Sequence, residues 1–217
     1  MNYSQMKKII TPAEAGRQME YDYWMKSKMP MAHIGTTLDV TRIISFCKKN
    51  NEVPLNAAMC YCIGQAVNKI KEGHLLIEGE NMIWSDVVNV QTIVKDKNGS
   101  LRFCDLPTVD SFTQYVDNYR RIVKEVYDSC SHHFLDDRIF IGTSCLSTRL
   151  PIDIAVNQWN DSFQNLFLMW GAYKRHFFRK YELTMLLQFH HVQINGGEVC
   201  HFFETLQDEF NKIQNIL

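Results

Sequence analysis

No stretch of this 217-residue sequence approaches the roughly 20 consecutive apolar residues that span a bilayer, so no membrane-spanning helix is expected. Net charge is also nearly absent, because 23 Lys and Arg residues face 24 Asp and Glu residues. We therefore expect neither a nucleic-acid-binding protein nor a disordered acidic one. The first residues, MNYSQMKKII, have no apolar segment and no cleavage site, so we expect no signal peptide and a cytoplasmic protein.

The seven cysteines form no CxxC pair, and their odd number does not fit a closed disulfide framework. We expect reduced thiols that act mostly as small buried hydrophobic side chains. Cys200 lies close in sequence to His191 and His201, which leaves a cysteine–histidine nucleophile as an alternative. That alternative is not favoured, because Cys200 falls within a predicted helix beside apolar neighbours.

The sequence has no repeat, low-complexity segment or linker, so residues 1–217 are expected to form one domain. A first helix is predicted over residues 11–28, with Thr11 as N-cap, Pro12 at the first helical position and Glu14 completing a capping box. Another helix is predicted over residues 110–130, with Asp110 or Ser111 as its cap. The remaining elements are helices over 56–71 and after 197, a hairpin over 75–84, and strands over 33–40, 88–94, 138–146, 152–156, 166–173 and 182–191.

These elements alternate irregularly, without the βα repetition of a parallel sheet. The pattern predicts an α+β fold, a two-layer α/β sandwich in which a mixed sheet packs against helices.

The last predicted strand, ELTMLLQFHH, ends in His190 and His191 and leads into the turn VQINGG. Gly196 and Gly197 in that turn allow positive φ and close backbone approach. Three interpretations remain open on residue types alone. The two histidines could be structural, with their hydrogen bonds satisfied within the fold; they could form a metal site with His201; or one could be a general base. The metal site lacks a carboxylate at ligand spacing, and no GxSxG motif supplies a serine nucleophile.

The segment FHHVQINGGEVCHFFETLQDEF resembles the H-H-x-x-x-D-G signature and C-terminal helix of the chloramphenicol acetyltransferase family. RQMEYDYW, PLNAAMCYCIGQAVN, LIEGENMIWSD and LFLMWGAYK are similar to further family segments in the same order. The likeness covers nearly the whole chain. Dihydrolipoyl acyltransferases and peptide-synthetase condensation domains carry the same motif, but the chain length and N-terminal segments favour the chloramphenicol type.

The resemblance implies a homotrimer with active sites at subunit interfaces and a role in antibiotic resistance. Acetyl-CoA would be the co-substrate, and chloramphenicol or a related small molecule would supply the acceptor hydroxyl. His191 would be the general base, and Ser144 would donate a hydrogen bond to the tetrahedral oxyanion, with Thr143 as the alternative. Neither a metal nor a prosthetic group is expected, because a thioester is already activated.

The family's motif aspartate is Asn195 here, next to Gly196, and its partner, the first-helix arginine, is Arg17. Asn195 cannot form that salt bridge. Arg17 could pair with Glu20 or Asp22, or it could be solvated while Asn195 holds the turn through backbone hydrogen bonds. The second arrangement is the one we expect.

By the same resemblance, Trp24, Met29 and Met31 are expected to line the acceptor pocket, and Tyr173 is expected to contact the cofactor. Met169 falls where the family has a threonine that holds a water, so it is also assigned to the substrate site. The alternative is that the tryptophan and the two methionines are ordinary residues of the hydrophobic core. Two rival functions are therefore a non-catalytic trimeric binding protein and an acyltransferase that uses a different acceptor or a longer acyl-CoA.

Overall fold

A computed structural model describes residues 7–136, 139–146, 165–177 and 180–216. The strand predicted over 152–156 lies outside the described residues. Ten strands are described: β1 (Lys7–Ile10), β2 (Met31–Asp39), β3 (Leu75–Glu78), β4 (Asn81–Ser85), β5 (Asn89–Lys95), β6 (Leu101–Leu106), β7 (Phe140–Cys145), β8 (Phe167–Trp170), β9 (Lys174–Arg175) and β10 (Tyr181–His190).

The main sheet has the strand order β2-β10-β8-β7-β5-β6, and β9 pairs with β10. Its pairs are antiparallel except for β5–β7 and β7–β8, which are parallel. The sheet is therefore mixed, which confirms the predicted fold class. The long strand β10 lies between β2 and β8, so His190 ends an interior strand and His191 follows it directly.

Six α-helices are described: α1 (Pro12–Ala15), α2 (Gln18–Trp24), α3 (Thr41–Lys49), α4 (Leu55–Val67), α5 (Phe112–Ser129) and α6 (Gly196–Lys212). The last four cover one face of the main sheet, where alternate β10 residues enter the core. These residues are Leu183, Met185, Leu187 and Phe189. Because side chains alternate along a strand, Thr184, Leu186, Gln188 and His190 point to the other face.

The prediction of one helix over residues 11–28 is wrong, because the chain breaks at Gly16. Gly16 adopts φ 73° and caps α1 through its backbone N–H, and α2 begins two residues later. The capping box between Thr11 and Glu14 is confirmed. Both short helices pack beside a second sheet of strand order β1-β4-β3.

In the described ranges, no helix is long and apolar enough to cross a membrane. All seven cysteines are free, and three of them, Cys60, Cys62 and Cys104, are buried. Ser111 caps α5 as expected, by accepting a hydrogen bond from the Gln114 N–H. Helix α3 and the strands β1, β6 and β9 were not predicted.

Candidate active site

His190 is a structural histidine at the end of β10. It pairs with Met31 of β2 and is 6% exposed. Its Nδ1 accepts a hydrogen bond of 3.1 Å from the backbone N–H of Val192, which closes the turn after the strand. Burial, with the neighbouring His191 adding to it, lowers the pKa of His190 to about 4. The ring is therefore neutral near pH 7.

His191 is the first residue of that turn, and its ring is held by aromatic packing. The Trp24 ring lies parallel to it, with centroids 4.3 Å apart and planes inclined by 8°. Phe189 contacts it edge-on at 5.3 Å, and the backbone N–H of His191 donates to Pro30 at 3.0 Å. Its Nδ1 is buried without a hydrogen-bond partner in the described part of the chain. Packing, rather than hydrogen bonding, thus orients this imidazole.

Trp24, Met29 and Met31 lie around the histidine pair. Trp24 ends α2, Met31 begins β2, and Met29 precedes the proline whose carbonyl accepts the His191 N–H. Met29 is 59% exposed, whereas Trp24 and Met31 are only partly exposed. Of the three residues predicted for the acceptor pocket, Trp24 therefore contacts the His191 ring, whereas Met29 and Met31 flank the proline that binds the His191 backbone.

Ser144 and Thr143 of β7 point to opposite faces of the sheet. The Thr143 hydroxyl donates to the Gln91 carbonyl at 2.9 Å and lies 3.9 Å from the Cys60 thiol, on the helix side. Its hydroxyl is thus already used inside the core. Ser144 points to the other face and is partly exposed. Its position in β7 pairs with Met169 of β8, so these two predicted site residues are neighbours.

Ser144 and His191 are far apart within one chain. The pairing of Ser144 with Met169, and of Met169 with Leu186, places Ser144 two strands away and level with Leu186. Five residues at about 3.3 Å each and two strand spacings of about 4.8 Å separate the two Cα atoms by roughly 19 Å. The predicted site residues therefore form two separate groups, here called half-sites, one around His191 and one around Ser144.

A cavity of about 380 Å³ lies beside the Ser144 half-site, on the helix side of the sheet. Cys145, Trp170 and Tyr173 line it together with apolar side chains of α3 and α4. The Tyr173 ring packs edge-on against Tyr181 at 5.4 Å. Lys48 Nζ donates to the Tyr181 hydroxyl at 2.8 Å, which places a cation next to this aromatic pair.

Arg17 is buried, at 4% exposure, and our expectation that it is solvated is wrong. Its Nη2 lies 2.6 Å from Glu198 and 3.2 Å from Glu72, and its Nη1 lies 3.5 Å from Glu20. Asn195 does not act as an acceptor for Arg17; its Nδ2 donates to Glu20 at 2.9 Å. Burial raises the pKa of Glu20, but the Asn195 hydrogen bond and the Arg17 charge outweigh it and lower that pKa.

Of these partners, Glu20 was considered from the sequence, whereas Glu72 and Glu198 were missed. Asn195 and Glu198 have the N-cap to N3 spacing of a capping box, which was the available signal for Glu198. Glu72 gave no signal, because it lies in a separate 3₁₀ turn that only the fold brings to Arg17. Gly196 and Gly197 are the first two residues of α6, and neither uses the positive φ that glycine allows.

The structure gives little support to the two alternatives, a cysteine–histidine nucleophile and a histidine metal site. His201 and Cys200 lie on α6, where Cys200 is exposed and the His201 side chain is 66% exposed. Across the described ranges, no group of three His, Cys, Asp or Glu residues is arranged to hold a metal ion.

The family model described as chloramphenicol acetyltransferase matches residues 5–207. The chain belongs to the chloramphenicol acetyltransferase family. A solved chloramphenicol acetyltransferase superposes with a TM-score of 0.79 at 16% identity, covering 94% of this chain and 100% of that one. No curated protein sequence matched the chain.

Two further structures share the fold of this chloramphenicol acetyltransferase family member. The dihydrolipoamide acetyltransferase of Azotobacter vinelandii has a TM-score of 0.69 at 14% identity, with 97% of this chain and 93% of that one covered. The cubic core of a pyruvate dehydrogenase multienzyme complex gives 0.67 at 14% identity, with 99% and 95% covered. The family and these neighbours support an acyltransferase.

Proposed function

We propose that this family member is an acetyl-CoA-dependent O-acetyltransferase whose acceptor is chloramphenicol or a related small hydroxyl compound. The observation that carries the proposal is the His191 imidazole, which is fixed against Trp24 and partly open to solvent. An oriented imidazole can take up and release a proton near neutral pH, as a general base must do.

In the proposed reaction, His191 takes the proton of the acceptor hydroxyl as its oxygen attacks the thioester carbonyl carbon. The Ser144 hydroxyl donates a hydrogen bond to the oxyanion of the tetrahedral intermediate. The carbon–sulfur bond then breaks, and His191 returns its proton to the CoA thiolate. The products are an acetyl ester and free CoA, so the reaction needs no metal or prosthetic group.

We further propose a homotrimer in which His191 of one subunit meets Ser144 of the next. The separation of roughly 19 Å within one chain, which follows from strand geometry, supports this assignment because one subunit cannot complete the site. Sedimentation of a stable monomer at micromolar concentration would contradict it.

The cavity beside Cys145 and Tyr173 is the place we assign to the pantetheine arm of acetyl-CoA, with Tyr173 as the cofactor-contacting residue. Its lining is mostly apolar, and it lies on the helix side of the sheet, whereas Ser144 points to the other side. The arm would have to pass the end of β7, beside Cys145, to bring its thioester to the Ser144 hydroxyl. Free thiols fit our assignment to the cytoplasm.

An asparagine four residues after the histidine also has a precedent among the similar folds. The Azotobacter vinelandii structure comes from investigations on the role of a serine, a histidine and an asparagine in the catalytic mechanism of that enzyme, and its asparagine stands four residues after its histidine. Asn195 stands four residues after His191 in this chain. This spacing supports a working site in which Asn195 replaces the motif aspartate.

The test is release of free thiol from acetyl-CoA by the purified protein, with and without chloramphenicol. Release that depends on chloramphenicol supports the proposal. Release that requires another hydroxyl compound, or a longer acyl-CoA, changes the substrate but keeps the reaction class. Tight binding of acetyl-CoA without release under any of these conditions would favour a non-catalytic binding protein.

A further inference from the structure

The turn that carries His191 and the helix that carries Trp24 are joined by a cluster of charges around the buried Arg17. Glu20 lies one helical turn before Trp24 in α2, and Asn195 lies four residues after His191. The Asn195 amide donates to Glu20 at 2.9 Å, which links the two segments directly. The relative position of the stacked rings therefore depends on this cluster.

Glu198 has a special place in the cluster because it binds two groups at once. One oxygen, Oε2, lies 2.6 Å from Arg17 Nη2 and also accepts the backbone N–H of Asn195 at 2.7 Å. Glu72 and Glu20 lie farther from the guanidinium, at 3.2 and 3.5 Å. Within the described residues, Glu198 alone connects Arg17 to the backbone where α6 begins.

We propose that Glu198 is a positioning residue for His191. By pairing with the buried Arg17 and holding the Asn195 N–H, it fixes the start of α6 and hence the end of the His191 turn. Asn195 serves as a hydrogen-bond donor that leaves Glu20 satisfied. This inference rests on the proposed function only for its kinetic consequences, because the geometry of the ring stack exists without turnover.

Loss of the Glu198 charge should change the position of His191 relative to Trp24. Replacing the carboxylate by an amide weakens the Arg17 contact and leaves the guanidinium with its two longer ion pairs. The start of α6 can then shift relative to α2. A displacement of about 1 Å at a catalytic group can cost roughly 10²-fold in rate.

The experiment compares Glu198→Gln with Glu204→Gln, a control on the same helix whose side chain is 79% exposed. The first readout is the ring-current shift that Trp24 imposes on the His191 ring protons, observed by NMR. The second is the split between kcat and KM for acetyl-CoA. We expect Glu198→Gln to lose much of the ring-current shift and to lower kcat by about 10-fold to 10²-fold with KM little changed. Glu204→Gln should change neither.

Glu198→Asp is the conservative variant, and it should restore part of both readouts because it keeps the charge. It also serves as the test if Glu198→Gln does not fold. An unchanged ring-current shift in a folded Glu198→Gln protein, with only a lower Tm, would overturn the positioning role. If the native protein releases no thiol, the proposed function fails, and the NMR comparison still decides the role of Glu198.

Discussion

The indole of Trp24 lies parallel to the imidazole of His191, with ring centroids 4.3 Å apart. This contact joins the last residue of α2 to the first residue after β10. In the proposed reaction, His191 takes the acceptor's proton and would then be a cation lying over an aromatic face. Such a contact stabilises a cation by about 0.5 to 2 kcal/mol, so Trp24 would favour the intermediate as well as orient the ring.

Replacement of Trp24 by leucine should therefore lower kcat by about 2-fold to 30-fold, the rate equivalent of that interaction energy. Trp24→Phe keeps an aromatic face and should retain most of the activity. Steady-state thiol release with saturating acetyl-CoA measures both variants. Equal activity of the leucine and phenylalanine proteins would mean that the aromatic face does not contribute.

Ser144 and Thr143 should respond differently to loss of their hydroxyls. Ser144→Ala should lower kcat by about 10²-fold to 10³-fold, as expected for an oxyanion donor, with little change in Tm. Thr143→Val should instead destabilise the protein by about 1 to 3 kcal/mol, because the buried Gln91 carbonyl loses its donor. Kinetics and thermal unfolding of the same two samples distinguish them. The reverse pattern would assign the oxyanion to Thr143.

His190 should contribute a pH dependence to stability. Its pKa is lowered by burial from 6.5 to about 4, so the unfolded chain binds a proton that the folded chain does not bind in this window. The contribution of His190 to the free energy of unfolding is thus fully present above pH 6.5. It falls as the pH approaches 4, by up to roughly 3 kcal/mol.

The variant His190→Asn keeps an acceptor near the Val192 N–H and does not titrate. Its free energy of unfolding should fall less between these pH values than that of the native protein. Urea titrations at several pH values measure the difference, with His201→Asn, an exposed histidine, as the control. Parallel curves for the native and His190→Asn proteins would contradict the assignment.

Asn195→Asp restores the family's motif residue, but here it should be harmful. Glu20, Glu72 and Glu198 already surround Arg17, and the new carboxylate would face Glu20 where an amide now donates. A fourth carboxylate around the single buried guanidinium should lower the Tm and the activity together. Asn195→Asp with raised activity would show instead that Arg17 had lacked its proper partner.

Much of this arrangement could be predicted from the sequence, and the remainder has identifiable physical causes. The strand ending in two histidines, the Ser111 cap and the grouping of Trp24 with the histidine turn follow from local pattern or resemblance. The break at Gly16 was missed because the helical pattern continues through it, and only its backbone conformation reveals the cap.

The partners of Arg17 could not be predicted fully, because they come from three separate segments of the chain. The distance between Ser144 and His191 depends on the strand order, which places β8 between β7 and β10. That strand order cannot be predicted from the spacing of the strands along the sequence. One domain over residues 1–217 stays a prediction.

Mixed trimers test the central claim, an acetyl-transfer site shared between subunits, most directly. His191→Ala and Ser144→Ala proteins should each lose at least about 10²-fold in chloramphenicol-dependent thiol release. If the two proteins are unfolded together in equal amounts and refolded, a site that takes His191 from one subunit and Ser144 from the next is intact in about a quarter of random cases. The account predicts recovery of about a quarter of the native activity, whereas a mixture as inactive as its two components would contradict it.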